Sequence, residues 1–74
     1  MSLENLNKVR EHLAKLRDET AAEAAEYIES DRPATAKKEI QNLVSIQETI
    51  EKVDRAIADI QKPGSFAYGL LNNL

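Results

Sequence analysis

Residues 43–60 read LVSIQETIEKVDRAIADI, and the branched apolar residues in this stretch recur every three or four positions. This spacing draws one narrow stripe along an α-helix, by which the helix packs on other helices. The residues between them are mostly charged, amide or alanine side chains, so the rest of the helix surface suits water. The pattern therefore predicts an all-α fold with coiled-coil-like packing. The stripe consists of Leu43, Ile46, Ile50, Val53, Ile57 and Ile60.

A second, weaker stripe lies in the first half of the chain and predicts another helix over about residues 3–29. Ser2 is the expected N-cap, and Glu4 lies in the first turn, where the helix dipole favours an acid. The apolar positions are Leu6, Val9, Leu13 and Leu16, continued more weakly by Thr20, Ala24 and Tyr27.

The four residues Ser30-Asp31-Arg32-Pro33 interrupt the helical pattern. Pro33 lacks an N–H and suits the first turn of a helix, while the residue before a proline is biased away from helix. Asp31 is the expected N-cap of a second helix over about residues 33–61. A turn of only three residues, 30–32, is too short to connect parallel helices of this length, so residues 1–62 are predicted to form an antiparallel hairpin.

The distribution of charge around the turn favours the hairpin over one long continuous helix. Residues 18–31 carry six acidic side chains and no basic one, whereas residues 32–38 carry three basic side chains and no acidic one. Acids at a helix C-terminus and bases at the next N-terminus each oppose the local dipole. Brought side by side across a tight turn, the two groups offset each other.

Residues 63–74 form an apolar C-terminal tail of different character. The segment SFAYGLLNNL, residues 65–74, has no charged side chain, and a free tail of this kind would expose apolar surface that soluble proteins usually avoid. We therefore expect it to dock, either on its own hairpin or on a neighbouring chain. The tail side chains expected to make this docking contact are Phe66, Tyr68, Leu70 and Leu71.

The length and composition of the chain indicate that a hairpin alone makes a thin core. Seventy-four residues are near the limit for a stable single-chain core, and the absence of cysteine removes disulfides as a staple. We therefore expect the bundle to be completed by oligomerisation or by docking on a larger partner protein. A monomer closed by its own tail is the remaining alternative.

Composition also bears on the partner classes. A net charge of −3 with mixed surface charge argues against nucleic-acid binding, and no apolar run is long enough to cross a membrane. We expect a cytoplasmic protein. The basic residues of the first helix are diluted by acids and have no aromatic residues among them for stacking on bases; they are Lys8, Arg10, Lys15 and Arg17.

Three features of the sequence resemble possible sites, but each is expected to have an ordinary structural role. His12 flanks the first stripe without a nucleophile or acid motif around it, so it is read as a boundary histidine. Glu19, Glu23 and Glu26 share one helix face, but the Glu-x-x-His pairs of bundle di-metal sites are missing, so a solvated acidic face without metal is expected. The alanine-rich stretch 20–26 is read as good helix propensity, with close approach of a bulky group as the alternative.

In architecture the predicted hairpin resembles several small helical-hairpin families. These are plasmid copy-number regulators, type III secretion needle subunits with their small chaperones, and phage-encoded hairpins that sequester cyclic nucleotides. The turn Ser30-Asp31-Arg32-Pro33 resembles the Ser/Asp/Pro turn of the needle subunits. This chain departs from the needle pattern by its apolar tail and by the absence of a Trp motif in the first helix, so no family is assigned on these features.

The sequence thus predicts a non-enzymatic assembly or interaction module that self-associates through its helical stripes and docks its tail on a neighbour or partner. No nucleophile–base pair or cofactor motif is present in the sequence, so no enzyme activity and no cofactor are expected. The alternative is a small inhibitor or sequestering protein that binds a partner protein or an anionic small molecule such as a nucleotide. The contacts for such an anion would come from Arg10, Arg17, Lys37 or Tyr27.

Overall fold

The computed structural model describes residues 2–61, which form two α-helices packed against each other. Helix α1 spans Leu3–Glu29 and helix α2 spans Pro33–Gln61, and this part of the chain contains no strand. The predicted all-α helical hairpin is therefore confirmed. Met1 and residues 62–74 lie outside the described residues, so the predictions for the tail and for Phe66, Tyr68, Leu70 and Leu71 stay predictions.

The start of α1 is fixed by the N-cap that the sequence predicts. Ser2 has an extended backbone, and its Oγ accepts a hydrogen bond from the Asn5 N–H at 3.1 Å. This bond satisfies one of the four N–H groups that lack a partner inside the helix, and such a cap contributes about 1 kcal/mol. Glu4 lies in the first turn, where it also forms an i,i+4 ion pair with Lys8 at 3.6 Å.

The turn closes α1 with a Schellman motif. The Arg32 N–H donates to the Tyr27 carbonyl at 2.8 Å, and the Asp31 N–H donates to the Ile28 carbonyl at 3.2 Å. The motif requires a residue in the left-handed conformation just after the helix ends, and Asp31 takes that conformation with φ of 60°. Carbonyl groups that the end of α1 would leave unpaired are thereby satisfied.

The expected role of Asp31 as N-cap of α2 is therefore wrong. The residue that flanks α2 is Arg32, whose carbonyl accepts the first hydrogen bond of that helix from the Ala36 N–H at 3.0 Å. Asp31 instead belongs to the end of α1. Aspartate tolerates the left-handed region better than most residues with a Cβ, which explains why it can take a position that glycine usually fills.

The two helices meet along one row of side chains on each, spaced seven residues apart, which we call the central row. Ile50 is the most deeply buried member at 1% exposure, and the row includes small or polar residues where the helices approach near the turn. All members are buried or half-buried. The central row consists of Leu6, Leu13, Thr20 and Tyr27 on α1, and of Ala36, Leu43, Ile50 and Ile57 on α2.

The core formed in this way is thin. Among residues 2–61 only five are buried, so most of the apolar stripe on each helix keeps part of its surface exposed. The buried residues are Leu6, Thr20, Ala24, Ala36 and Ile50. Within the same range, neither helix has a sufficiently long apolar stretch to span a membrane.

Candidate interaction face

The side chains on either side of the central row define two opposite faces of the hairpin. Because an α-helix turns about 100° per residue, the residue three positions after a central-row member lies to one side and the residue four positions after it lies to the other. Two contacts between the helices show how these sides pair. Arg10 and Asp54, each four residues after a central-row member, bind each other on one side, and Glu23 and Glu39, each three residues after one, meet on the other.

We call the side that carries Glu23 and Glu39 the front face and the side that carries the Arg10–Asp54 pair the back face. The helices run antiparallel, so seven residues back along α1 correspond to seven residues forward along α2. Starting from the Glu23–Glu39 contact, this places Leu16 level with Ile46 and Val9 level with Val53. The front face therefore carries a line of branched apolar side chains from both helices.

This line, which we call the apolar strip, is only partly covered within the hairpin. Val9 is 47% exposed, Leu16 is 38% exposed and Ile60 is 44% exposed. The other two members are half-buried against the opposite helix. The apolar strip consists of Val9, Leu16, Ile46, Val53 and Ile60.

Apart from Glu19, which follows Leu16 by three positions near the turn, the residues that border the apolar strip carry no Asp, Glu, Lys or Arg. They lie six positions after the central row, and they are mostly exposed amide, hydroxyl or small side chains. Thr49 donates its hydroxyl to the Ser45 carbonyl at 2.9 Å, so its polar group is satisfied within its own helix. This border consists of Asn5 and His12 on α1, and of Asn42, Thr49 and Ala56 on α2.

The charges of the front face are all acidic and are confined to its turn end, which we call the acidic end. The Glu23 carboxyl faces the Glu39 carboxyl across the helices, and this contact is the main cause that raises the pKa of Glu23 above its ordinary value. Partial burial and the charges of two neighbouring glutamates on α1 raise the pKa further. The acidic end consists of Glu19, Glu23, Glu26 and Glu39.

Among residues 2–61, no three histidine, aspartate or glutamate side chains come together in a way that could hold a metal ion.

The back face differs from the front face by its ion pairs. Arg10 places its Nε 2.7 Å and its Nη2 3.4 Å from the two carboxylate oxygens of Asp54. Arg17 binds its neighbour Asp18 at 3.2 Å. The hydrogen bond and the charge of Asp54 raise the pKa of Arg10. Exposed Ile40 and Val44 lie near the turn on this side.

The residues considered for an anionic ligand are not gathered into one site. Arg10 and Arg17 each have a carboxylate partner on the back face. Tyr27 lies beneath the Arg32 guanidinium, 6.0 Å from ring centre to Cζ, and lines a shallow depression with acidic neighbours. Lys37 lines a different open depression at the start of α2. The described residues therefore offer no convergent anion pocket.

The structure divides the stripe residues predicted from the sequence into two groups. One group lies between the helices and holds the hairpin together; it comprises Leu6, Leu13, Leu43, Ile50 and Ile57. The other group is the apolar strip on the front face, in which Val9, Leu16 and Ile60 are exposed; the remaining exposed large apolar side chains of the described residues, Ile28, Ile40 and Val44, lie on the back side near the turn. His12 is exposed beside the strip.

The sequence reading missed two residues of the contact between the helices. Arg10 and Arg17 are half-buried beside the central row, in positions that the 3-4 pattern assigned to Val9 and Leu16. Long basic side chains can cover apolar surface with their aliphatic stems and still keep the charge in water. The sequence did contain a signal for this packing. The series spaced seven residues apart through Leu3, Arg10, Arg17 and Ala24 can pack along the whole helix, whereas the series through Val9 and Leu16 arrives at the charged Glu23.

Comparisons with protein-family models, with curated proteins and with solved structures give no significant match to this chain.

Proposed function

We propose that this chain is a non-enzymatic self-association module in which two copies bury their front faces against each other and form a four-helix bundle. The observation that carries the proposal is the apolar strip with its uncharged border. A contiguous apolar patch rimmed by polar residues is typical of a protein interaction site. Heptad-spaced branched side chains on paired helices are the packing units of four-helix bundles.

A second copy is the occupant that fits this face best. The strip carries no Asp, Glu, Lys or Arg, and Glu19 is the one charged residue beside it, at the turn end, so over most of its length the same patch on another copy meets it without unpaired charge. A two-fold dimer uses one self-complementary patch on both chains, and an uncharged apolar patch meets that requirement. The back face would bring its ion pairs into such a contact, where charged groups lose hydration.

The size of the strip indicates that it is not the whole interface. From Ile46 to Ile60 the strip runs about 21 Å at 1.5 Å per residue, and two helices side by side are about 20 Å wide. Strip-to-strip contact then covers about 400 Å² on each copy, or about 800 Å² in all, whereas stable interfaces bury about 1,200–2,000 Å². Additional surface must contribute if the dimer is stable.

The C-terminal tail is the part of the chain suited to supply that surface. Helix α2 ends at Gln61, one residue after the last member of the strip, so the tail starts at the edge of the proposed interface. Its sequence lacks charge over residues 65–74. We propose that the tail docks on the neighbouring chain and enlarges the interface there.

Two matched substitutions on opposite faces test the proposal. Val9→Glu puts a carboxylate in the strip, and Val44→Glu puts the same group at a similarly exposed position on the back face; the two valines are 47% and 51% exposed. Because both sites are exposed in the hairpin, both variants should stay helical by circular dichroism. Sedimentation equilibrium then measures the dimer dissociation constant of each variant.

We expect wild type and Val44→Glu to be dimers at micromolar concentration. Val9→Glu should raise the dissociation constant by at least about 30-fold, because a charge left unpaired in an interface costs about 2–5 kcal/mol. Equal dissociation constants for the two variants would remove the front face as the interface. A folded wild-type monomer would instead favour the alternative, in which this face docks on a different protein.

A further inference from the structure

We infer that the two hairpins pack head to tail, with their turns at opposite ends of the bundle. This inference rests on the proposed self-association through the front face. It follows from where the charges of that face lie. The acidic end occupies only the turn end, and the apolar strip occupies the middle and the open end, where α1 begins and α2 ends.

A two-fold dimer of hairpins has two possible orientations. If the two-fold axis runs along the helices, the turns lie together; if it runs across them, the turns lie apart. With the turns together, the acidic end of one copy meets the acidic end of the other. Eight carboxyl groups would then crowd one end of the interface, and the front face carries no lysine or arginine to balance them.

Carboxyl groups of the acidic end already repel one another within a single hairpin. Glu23 and Glu39 meet carboxyl to carboxyl, and Glu19 and Glu26 add charge of the same sign. A second set of four carboxyl groups would add to this repulsion in a region from which the partner excludes water. Like charges juxtaposed across an interface suppress the arrangement that brings them together.

The head-to-tail orientation removes this conflict. The acidic end of each copy then lies toward the open end of its partner, where the front face offers Asn5 and Ala56 and no acidic residue. The apolar strips run from the middle of each hairpin to its open end, so they overlap when the two copies are offset along the bundle axis and each turn projects past the open end of the partner.

Distances between spin labels at the turns distinguish the two orientations. The full chain contains no cysteine, so a single Glu29→Cys change at the exposed end of α1 gives one label per chain. Head-to-tail packing predicts a label-to-label distance above about 40 Å, because each helix is about 40 Å long. Turns packed together predict a distance below about 25 Å, roughly the width of two helices.

The measurement also separates failure of this inference from failure of the proposed function. A long distance supports the inference, and a short distance in a chain that sediments as a dimer overturns it while leaving the dimer intact. Absence of any intermolecular distance, with a monomer in sedimentation, overturns the proposed function itself. Dilution with unlabelled chain should remove the intermolecular signal and serves as its control.

A variant without these carboxylates tests whether repulsion between the acidic ends sets the orientation of the two hairpins. The combined substitutions Glu19→Gln, Glu23→Gln, Glu26→Gln and Glu39→Gln remove the acidic end without changing the strip. We expect the labelled variant to remain a dimer and to gain a population with the short distance, since the repulsion against that orientation is gone. A distance distribution that stays long in this variant would show that the carboxyl groups do not set the orientation.

Discussion

Arg10 and Asp54 join the two helices on the back face, with the Arg10 Nε 2.7 Å from the Asp54 Oδ1. On the front face, toward the turn, Glu23 and Glu39 instead bring two carboxyl groups together. The two contacts show which side of α1 meets which side of α2, and the apolar strip lies on the face without the Arg10–Asp54 pair.

Asp54→Asn should lower the melting temperature of the hairpin by a small amount. The Arg10 and Asp54 side chains are 40% and 46% exposed, so water and salt screen the attraction between them. The effect should shrink as salt is raised, because the Debye length falls from about 8 Å at 0.15 M to about 3 Å at 1 M. Asp18→Asn is the matched control, since Asp18 binds a neighbour in its own helix. A larger loss in Asp18→Asn would contradict the assigned role of the Arg10–Asp54 pair.

Glu23→Gln should stabilise the hairpin at neutral pH. The facing Glu39 carboxyl raises the pKa of Glu23, so the folded state binds a proton more tightly than the unfolded chain does. For such a group, stability is lower above the raised pKa and recovers as the pH falls toward the ordinary glutamate value. The advantage of Glu23→Gln over wild type should therefore be largest near pH 7 and shrink on acidification.

Urea unfolding of both proteins at several pH values measures that difference. Glu48→Gln, at an exposed position on the outer side of α2, is the control for loss of one negative charge. If Glu48→Gln shows the same pH-dependent gain as Glu23→Gln, the gain comes from net charge and not from the contact with Glu39.

Asp31→Gly should raise stability, and Asp31→Val should lower it. Asp31 has φ of 60°, a region that costs a residue with a Cβ about 1–2 kcal/mol and costs glycine nothing. Valine is β-branched and suits this region poorly. We expect a gain of about 0.5–1 kcal/mol for glycine and a loss of about 1–2 kcal/mol for valine. Thermal unfolding followed at 222 nm orders the three proteins, and any other order would argue against the Schellman turn.

The sequence predicted the helices well because their ends are chemically marked. Ser2 caps α1, and Pro33 starts α2 after a residue that disfavours helix. The stripe on α2 was also read correctly, since its central row and its front-face row are both apolar. These features depend on local chemistry and helical spacing, which a single sequence carries.

The packing side of α1 was harder to predict for a physical reason. Hydrophobicity favours Val9 and Leu16, yet the hairpin places Arg10 and Arg17 beside the central row, where their stems pack and Arg10 reaches Asp54. The contact between Glu23 and Glu39 depends on this register, which a sequence alone does not supply.

Ile50→Ala should destabilise the hairpin strongly, whereas Ile40→Ala should not. Ile50 is 1% exposed between the helices, and Ile40 is 43% exposed on the back face. Removing a buried isoleucine side chain to Cβ costs about 2–5 kcal/mol, which is a large part of the stability of a small domain. We expect Ile50→Ala to lose helicity at a markedly lower temperature. Similar melting temperatures for the two variants would contradict the packing described for the central row, and Ile50→Asp should unfold or dissociate the protein outright.

Deletion of residues 65–74 should weaken the dimer without removing the helices. The strip alone falls short of the area that stable interfaces bury, so loss of the tail should raise the dissociation constant by about tenfold or more, or about 1.4 kcal/mol at least. Circular dichroism checks that the hairpin remains helical, and sedimentation equilibrium measures the dimer. A truncated chain that sediments as an unfolded monomer would place the tail on its own hairpin. A truncated chain that dimerises as tightly as wild type would remove the tail from the interface.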